Sequence, residues 1–352
     1  MSPRADTHCL NDILRQPGEL QACIDHVLVD GRAAFDRAAA ILRDASELYI
    51  AGIGASWSAG MAAQAFFSEA GRAASLVDAA ELLHQPSFRP GSAILLLSRS
   101  GKSIEVVTLL DRAAQAGAKV VGVTNAPDSP LGKRSDAALL LGVGFDHAIS
   151  VVTYSTVALA GGLAAAAATE RLQGDDLEAL RRSLDALPEA IFGWRQQLPG
   201  HAWFSADRAT YFLARKGGLA SAHESRLMWE ETAKAPASAL TTGGFRHGPQ
   251  EIVESGLRVG LWIDGKLRRE EDFALARDLR KLGARVMTIG QGIPSDAGDL
   301  VFELPPIPAG WQFVTEIIPA QLAAEHLSGL RGVDCDSFRL SSHVVTKEGG
   351  LL

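Results

Sequence analysis

Runs of Val, Ile and Leu that are short and carry no polar alternation recur along this chain, each followed by an Ala-rich stretch of helical period. A strand that is apolar on both sides is covered on both faces, and that condition belongs to parallel sheets. Glu47–Ala55 (ELYIAGIGA), Ser92–Ser98 (SAILLLS), Ala118–Asn125 (AKVVGVTN) and Asp136–Gly142 (DAALLLG) read as such strands. Between them SWSAGMAAQAFFSEAG and SIEVVTLLDRAAQAG read as helices, each opening at a Ser suited to an N-cap and closing near a Gly suited to the αL position. Helical segments continue to about Gln197, and after the Pro/Gly-containing linker PGHAWFSADR the pattern restarts with Ala209–Gly217, Leu257–Gly265, Ala284–Gly292 and Asp299–Pro305. The two halves share one order, and the third strands end alike, in VGVTN and VMTIG. The sequence therefore predicts an α/β protein with two doubly wound parallel sheets in tandem. A helical lead-in occupies residues 1–45, the first domain 46–198, and the second domain with a C-terminal tail 199–352. Ligands are expected beyond the carboxyl ends of the strands, at helix N-termini.

Composition narrows the function classes. With 352 residues, 21% charged and a net charge of −7, the chain is long enough for two ordinary domains and too acidic overall to suggest a nucleic-acid or membrane-surface partner. Its cysteines, Cys9, Cys23 and Cys335, are odd in number, far apart and never in a C-x-x-C pair, which argues against a disulfide framework or a zinc cluster and points to a reducing cytoplasm. The N-terminal segment lacks an apolar core after a basic start, and the longest apolar stretch, Thr156–Thr169, is Ala- and Gly-rich and short for a bilayer, so neither export nor a membrane span is expected.

The strand Ser92–Leu97 runs into Ser98-Arg99-Ser100-Gly101-Lys102-Ser103. Gly-Lys-Ser suggests a P-loop, but G-x-x-x-x-G-K-[ST] needs a Gly where Leu96 stands inside the strand, so the nucleotide reading fails. What is left is three closely spaced hydroxyls, a Gly that lets the backbone approach, and the amides that open a helix. Together they form a cup for a phosphate dianion that needs no metal. A polar turn with an N-cap would account for Ser103 alone. GIGASWSAG (Gly52–Gly60) has Trp57 where a dinucleotide fingerprint needs its third Gly, and it places Ser56 at a second helix start. Asp146-His147 lacks a third residue at metal-ligand spacing, so no metal and no cofactor is expected.

Strand-G-x-G-x-S, strand-S-x-S-G-x-[ST], VGVTN and SDAALLL together resemble the sugar isomerase (SIS) domain. The tandem arrangement over about residues 10 to 348 resembles the isomerase half of glucosamine-6-phosphate synthase and its shorter relatives, the aminosugar-phosphate deaminases and fructosamine-phosphate deglycases. The resemblance implies two flavodoxin-like SIS domains, a cytoplasmic homodimer, and a hexose or aminosugar 6-phosphate as ligand. Within Glu224–Val253 it implies catalytic roles for Glu231 and for the His247 of an H-G-P turn. The tail DCDSFRLSSHVVTKE resembles the family's closing segment and implies contacts from His343 and Lys347. Phosphate binding would fall to Ser56, Ser98, Arg99, Ser100, Gly101 and Ser103. The chain departs from the synthases at Met228 and His343, where they have lysines, and at Gly244, where they have the Glu of G-E-x-x-H-G-P. No glutaminase segment precedes residue 10, so release of ammonia from glutamine is not expected.

The chemistry is consistent with these residue types. Moving a proton between C1 and C2 of an open-chain sugar needs one carboxylate acting as base and then as acid, and Glu231 lies on a largely apolar helix where partial burial would raise its pKa. Ring opening needs a proton carrier near neutral pH, which an imidazole such as His247 supplies. The expected activity is that of an aminosugar- or fructosamine-6-phosphate deaminase/isomerase. A plain aldose-ketose isomerase and a non-catalytic sugar-phosphate sensor are the rivals.

Overall fold

The computed structural model describes residues 6–85, 87–204, 209–340, 344–347 and 349. Among them are ten strands: β1 (Glu47–Gly52), β2 (Ser75–Asp78), β3 (Ser92–Leu97), β4 (Lys119–Thr124), β5 (Ala137–Leu140), β6 (Thr210–Ala214), β7 (Ala237–Thr241), β8 (Arg258–Ile263), β9 (Arg285–Gly290) and β10 (Leu300–Glu303). They form two five-stranded sheets, ordered β2-β1-β3-β4-β5 and β7-β6-β8-β9-β10. Every neighbouring pair is parallel. The second order repeats the first, strand for strand, so the doubly wound α/β fold is present twice.

Eight of the ten strands are those that the apolar runs predict. The other two, β2 and β7, are edge strands that are only half-buried and so carry no uninterrupted apolar run.

The chain divides into two compact units, Arg15–Leu177 with Phe338–Leu352 around the first sheet, and Met1–Leu14 with Glu178–Ser337 around the second. These differ from segments drawn at residues 45 and 198, because each chain end joins the unit remote from it in sequence. The predicted lead-in is helical, in His8–Asp25, one π-helical turn His26–Asp30, and Arg32–Asp44.

In the first-sheet unit, the helix Ile104–Ala116 presents Val106, Leu109, Leu110 and Ala113 to Tyr49, Ala51, Ile94 and Leu96. This contact fixes where that helix begins. The Ala-rich helix Val152–Ala168 is buried along almost all its length. No helix among the described residues is long and apolar enough to cross a membrane. In the second-sheet unit the helix Arg269–Lys281 packs Phe273, Ala276 and Leu279 on Val259, Leu261 and Val286.

Candidate functional site

β3 is buried throughout, and its end delivers Ser98 into the loop that opens the helix Ile104–Ala116. Backbone contacts with the loop after β4 hold this turn in place. Asn125 N donates to Arg99 O at 3.1 Å, and Leu131 N donates to Gly101 O at 3.3 Å. Gly101 has φ +61°, and a Cβ there would lie 2.2 Å from Ser129 Oγ, so only glycine fits. Ser98 Oγ accepts from Gly101 N at 3.1 Å, and Ser100 Oγ accepts from Lys102 N at 3.3 Å. Each hydroxyl thus has its proton left to give. Ser103 occupies the N-cap position with extended geometry, yet its side chain makes no capping hydrogen bond. A Ser placed only to cap the helix would make that bond. The Arg99 guanidinium donates to Ala148 O at 3.2 Å, in the loop after β5.

β1 pairs with β3, so the loop that follows it opens at the same edge of the sheet. A Cβ on Gly52 would fall 2.6 Å from the Ser56 backbone, so this glycine permits the tight entry to the helix Ala55–Glu69. Ser56 stands half-buried in that helix's first turn. From the tail, Val345 O accepts from Ile104 N at 3.2 Å, which places described tail residues against the start of the same helix. Lys347, two residues on, is exposed. His343 lies outside the described residues.

Glu231 and His247 belong to the second-sheet unit. Glu231 ends the helix Gly218–Glu231, half-buried, after the fully buried Met228 and Trp229. Lys234 has φ +51° and turns back so that its Nζ donates to Glu231 O, and also to Ser337 O at 2.8 Å. His247 is exposed at the end of the short helix Thr242–Arg246 and precedes Gly248 at φ +128°.

The topology separates these two residues. A helix crossing between the parallel strands β6 and β7 runs antiparallel to them, so Glu231 stands at the edge where the strands begin. His247 stands beyond the edge where β7 ends. The four-residue rise of β7, about 13 Å, lies between.

Asp146 accepts from Val152 N at 2.8 Å and Thr153 N at 3.1 Å, and so caps the helix Val152–Ala168. No group of three or more potential metal ligands occurs among the described residues.

Sequence reading did not single out Glu316. It is buried, Ser221 Oγ donates to its Oε1 at 2.9 Å, and burial, partly offset by that bond, raises its pKa from 4.5 to about 7. Its one signal in sequence is an acidic residue inside the apolar run FVTEIIPAQLAA.

With two five-stranded parallel sheets and flanking helices, the molecule is a doubly wound α/β protein. Residues 41–166 match the family model of the SIS domain. A glutamine–fructose-6-phosphate aminotransferase of Leifsonia xyli is 28% identical over 283 residues, covering 75% of this chain and 45% of that protein. The chain spans about half the length of the curated relatives it matches. Among solved structures, the C-terminal domain of glucosamine-fructose-6-phosphate aminotransferase from Francisella tularensis superposes with TM-score 0.82 at 21% identity, over 96% of this chain and 99% of that one. A glucosamine-6-phosphate deaminase from Thermotoga maritima gives the same TM-score, identity and coverage. At that identity the two structures establish the fold alone.

Proposed function

We propose that this chain is a phosphosugar-processing enzyme acting on an aminosugar or fructosamine 6-phosphate, releasing the amine with aldose-ketose interconversion. The observation that carries the reading is the Ser98–Ser103 turn, a pre-formed cup whose third hydroxyl is not spent on capping. A phosphate monoester takes protons from Ser98, Ser100 and Ser103 and from the helix amides after Ile104, whose own N–H goes to Val345 O, with Ser56 and Arg99 at its rim. Glu231 moves the proton between the two carbons, from C2 to C1 of an aminosugar and from C1 to C2 of a fructosamine, while His247 carries the proton that opens the ring. We further propose that the unit around the second sheet is itself an SIS domain, on the strength of its repeated strand order.

Release of an amine is favoured over its transfer by Met228. Met228, which is fully buried, and His343 stand where the resembled synthases have lysines that hold a ketose. A substrate that already bears nitrogen needs none. The placement of Glu231 and His247 at opposite edges of one sheet supports a homodimer in which the imidazole serves the partner's reaction.

The test is turnover of purified protein with glucosamine 6-phosphate, fructoselysine 6-phosphate and fructose 6-phosphate, following ammonia or free amine. Amine release from either nitrogenous substrate is expected. Conversion of fructose 6-phosphate alone would make the protein a plain isomerase.

A further inference from the structure

The three cysteines are free thiols, and two of them, 326 positions apart in the chain, share one carboxylate, that of Asp336. Cys9 lies in the first turn of the helix His8–Asp25, and Asp336 caps that turn from the far end of the chain. His8 N donates to Asp336 Oδ2 at 2.9 Å, and Cys9 N donates to Oδ1 at 2.8 Å. The neighbouring residue, Cys335, has its Sγ 3.8 Å from the same Oδ1, so one carboxylate oxygen holds the Cys9 backbone and the Cys335 sulfur side by side. Both are buried, Cys9 at 4% exposed and Cys335 at 0%. The third, Cys23, is also fully buried, but its thiol faces Thr156 O, with no second sulfur.

We propose that Cys9 and Cys335 form a peroxide-oxidised, reversible disulfide that ties the first helix to the turn at Asp334–Ser337. The surroundings prepare one sulfur as nucleophile and leave the other as a thiol. The Cys9 thiol beside it outweighs burial and the nearby Asp336 carboxylate and draws the Cys335 pKa from 9.0 down to about 7. The Cys335 sulfur, with burial, pushes Cys9 up.

In the first step the Cys335 thiolate attacks hydrogen peroxide. An S–O bond forms, the O–O bond breaks, and hydroxide leaves with a proton as water. In the second step the Cys9 sulfur displaces hydroxide from the sulfenic sulfur, and its thiol proton leaves with that hydroxide as a second water. The sulfur pair loses two electrons, the peroxide gains them, and a dithiol reductant returns them. Peroxide is water-sized, and opening of the first helical turn admits it.

The pair sits on ADTHCLNDILR and GVDCDSFR, two peptides that trypsin separates. Native protein treated with hydrogen peroxide is expected to lose about 2 Da in intact mass and to yield these peptides joined, and dithiothreitol is expected to part them again. Cys9→Ser should abolish the cross-link and leave a Cys335 sulfenic acid that dimedone captures, while Cys335→Ser should abolish both. Cys23 should remain unmodified at the same dose. The proposal is overturned if the native wild-type protein shows no joined peptide at a peroxide dose that oxidises all three thiols in guanidinium, or if Cys23 reacts first. Wild-type mapping decides the matter even if neither variant folds.

Discussion

Gly101 and Glu316 show how single residues set the two kinds of local demand in this fold. At Gly101 a methyl group would meet both a left-handed backbone and a side-chain oxygen 2.2 Å away. Gly101→Ala is expected to cost about 3 kcal/mol and to lower the melting temperature by several degrees. Ser100→Ala leaves the backbone alone. It should raise KM for a 6-phosphate roughly tenfold or more with the fold unchanged, the loss of one charge-assisted hydrogen bond worth ~1.5–3 kcal/mol. Unchanged KM by steady-state kinetics would remove Ser100 from the phosphate cup.

Glu316 makes a pH prediction. Its folded pKa of about 7 lies above the ordinary 4.5, so the folded protein holds this proton more tightly than the unfolded chain. The group therefore costs nothing below pH 4.5, destabilises increasingly between 4.5 and 7, and above 7 costs a constant amount, at most about 3 kcal/mol. Glu316→Gln should melt higher than wild type at pH 8 and at nearly the same temperature at pH 4.5. A variant less stable at pH 8 would show that the ionised carboxylate is the favoured form.

At the scale of elements, the helix His8–Asp25 takes its N-terminal cap from Asp336, at the other end of the chain. Asp336→Ala should cost about 1–2 kcal/mol and expose the first turn to hydrogen exchange ahead of the rest of the helix. Uniform protection across that helix would mean that the cap is dispensable.

How far elements can be read from sequence depends on how local their causes are. The interior strands declare themselves because burial on both faces leaves SAILLL or RVGLWI without a polar position that faces solvent. β7 does not, since ASALT at a sheet edge needs to cover only one side. The Ser98–Ser103 cup is legible for the same local reason, as its donors are neighbours in sequence. The Lys234 bond to the Glu231 carbonyl is not, because it follows from a left-handed turn at Lys234 that no pattern announces. The Cys9–Cys335 contact is invisible to spacing, and Glu316 required treating one acidic residue in an apolar run as a buried group. The roles proposed for Glu231 and His247 rest on resemblance and chemistry together.

For the whole molecule, the proposed reaction takes its imidazole from a second copy of the chain. If a site takes Glu231 from one copy and His247 from another, then mixing Glu231→Gln with His247→Asn under subunit exchange should restore about a quarter of wild-type activity, since half the dimers are mixed and each holds one intact site. A mixture as inactive as its parts would place both groups in one copy. The central claim is that Glu231 moves the sugar's proton between C1 and C2, and solvent exchange tests it most directly. In deuterated water, followed by proton NMR, the wild type should exchange the C2 hydrogen of glucosamine 6-phosphate, or a C1 hydrogen of fructoselysine 6-phosphate, during turnover. Glu231→Gln should still bind that substrate, lose the exchange, and turn over slower by ~10²–10⁴. Exchange and turnover at the wild-type rate in Glu231→Gln, or tight binding of hexose 6-phosphates by a wild type that exchanges nothing, would contradict the account.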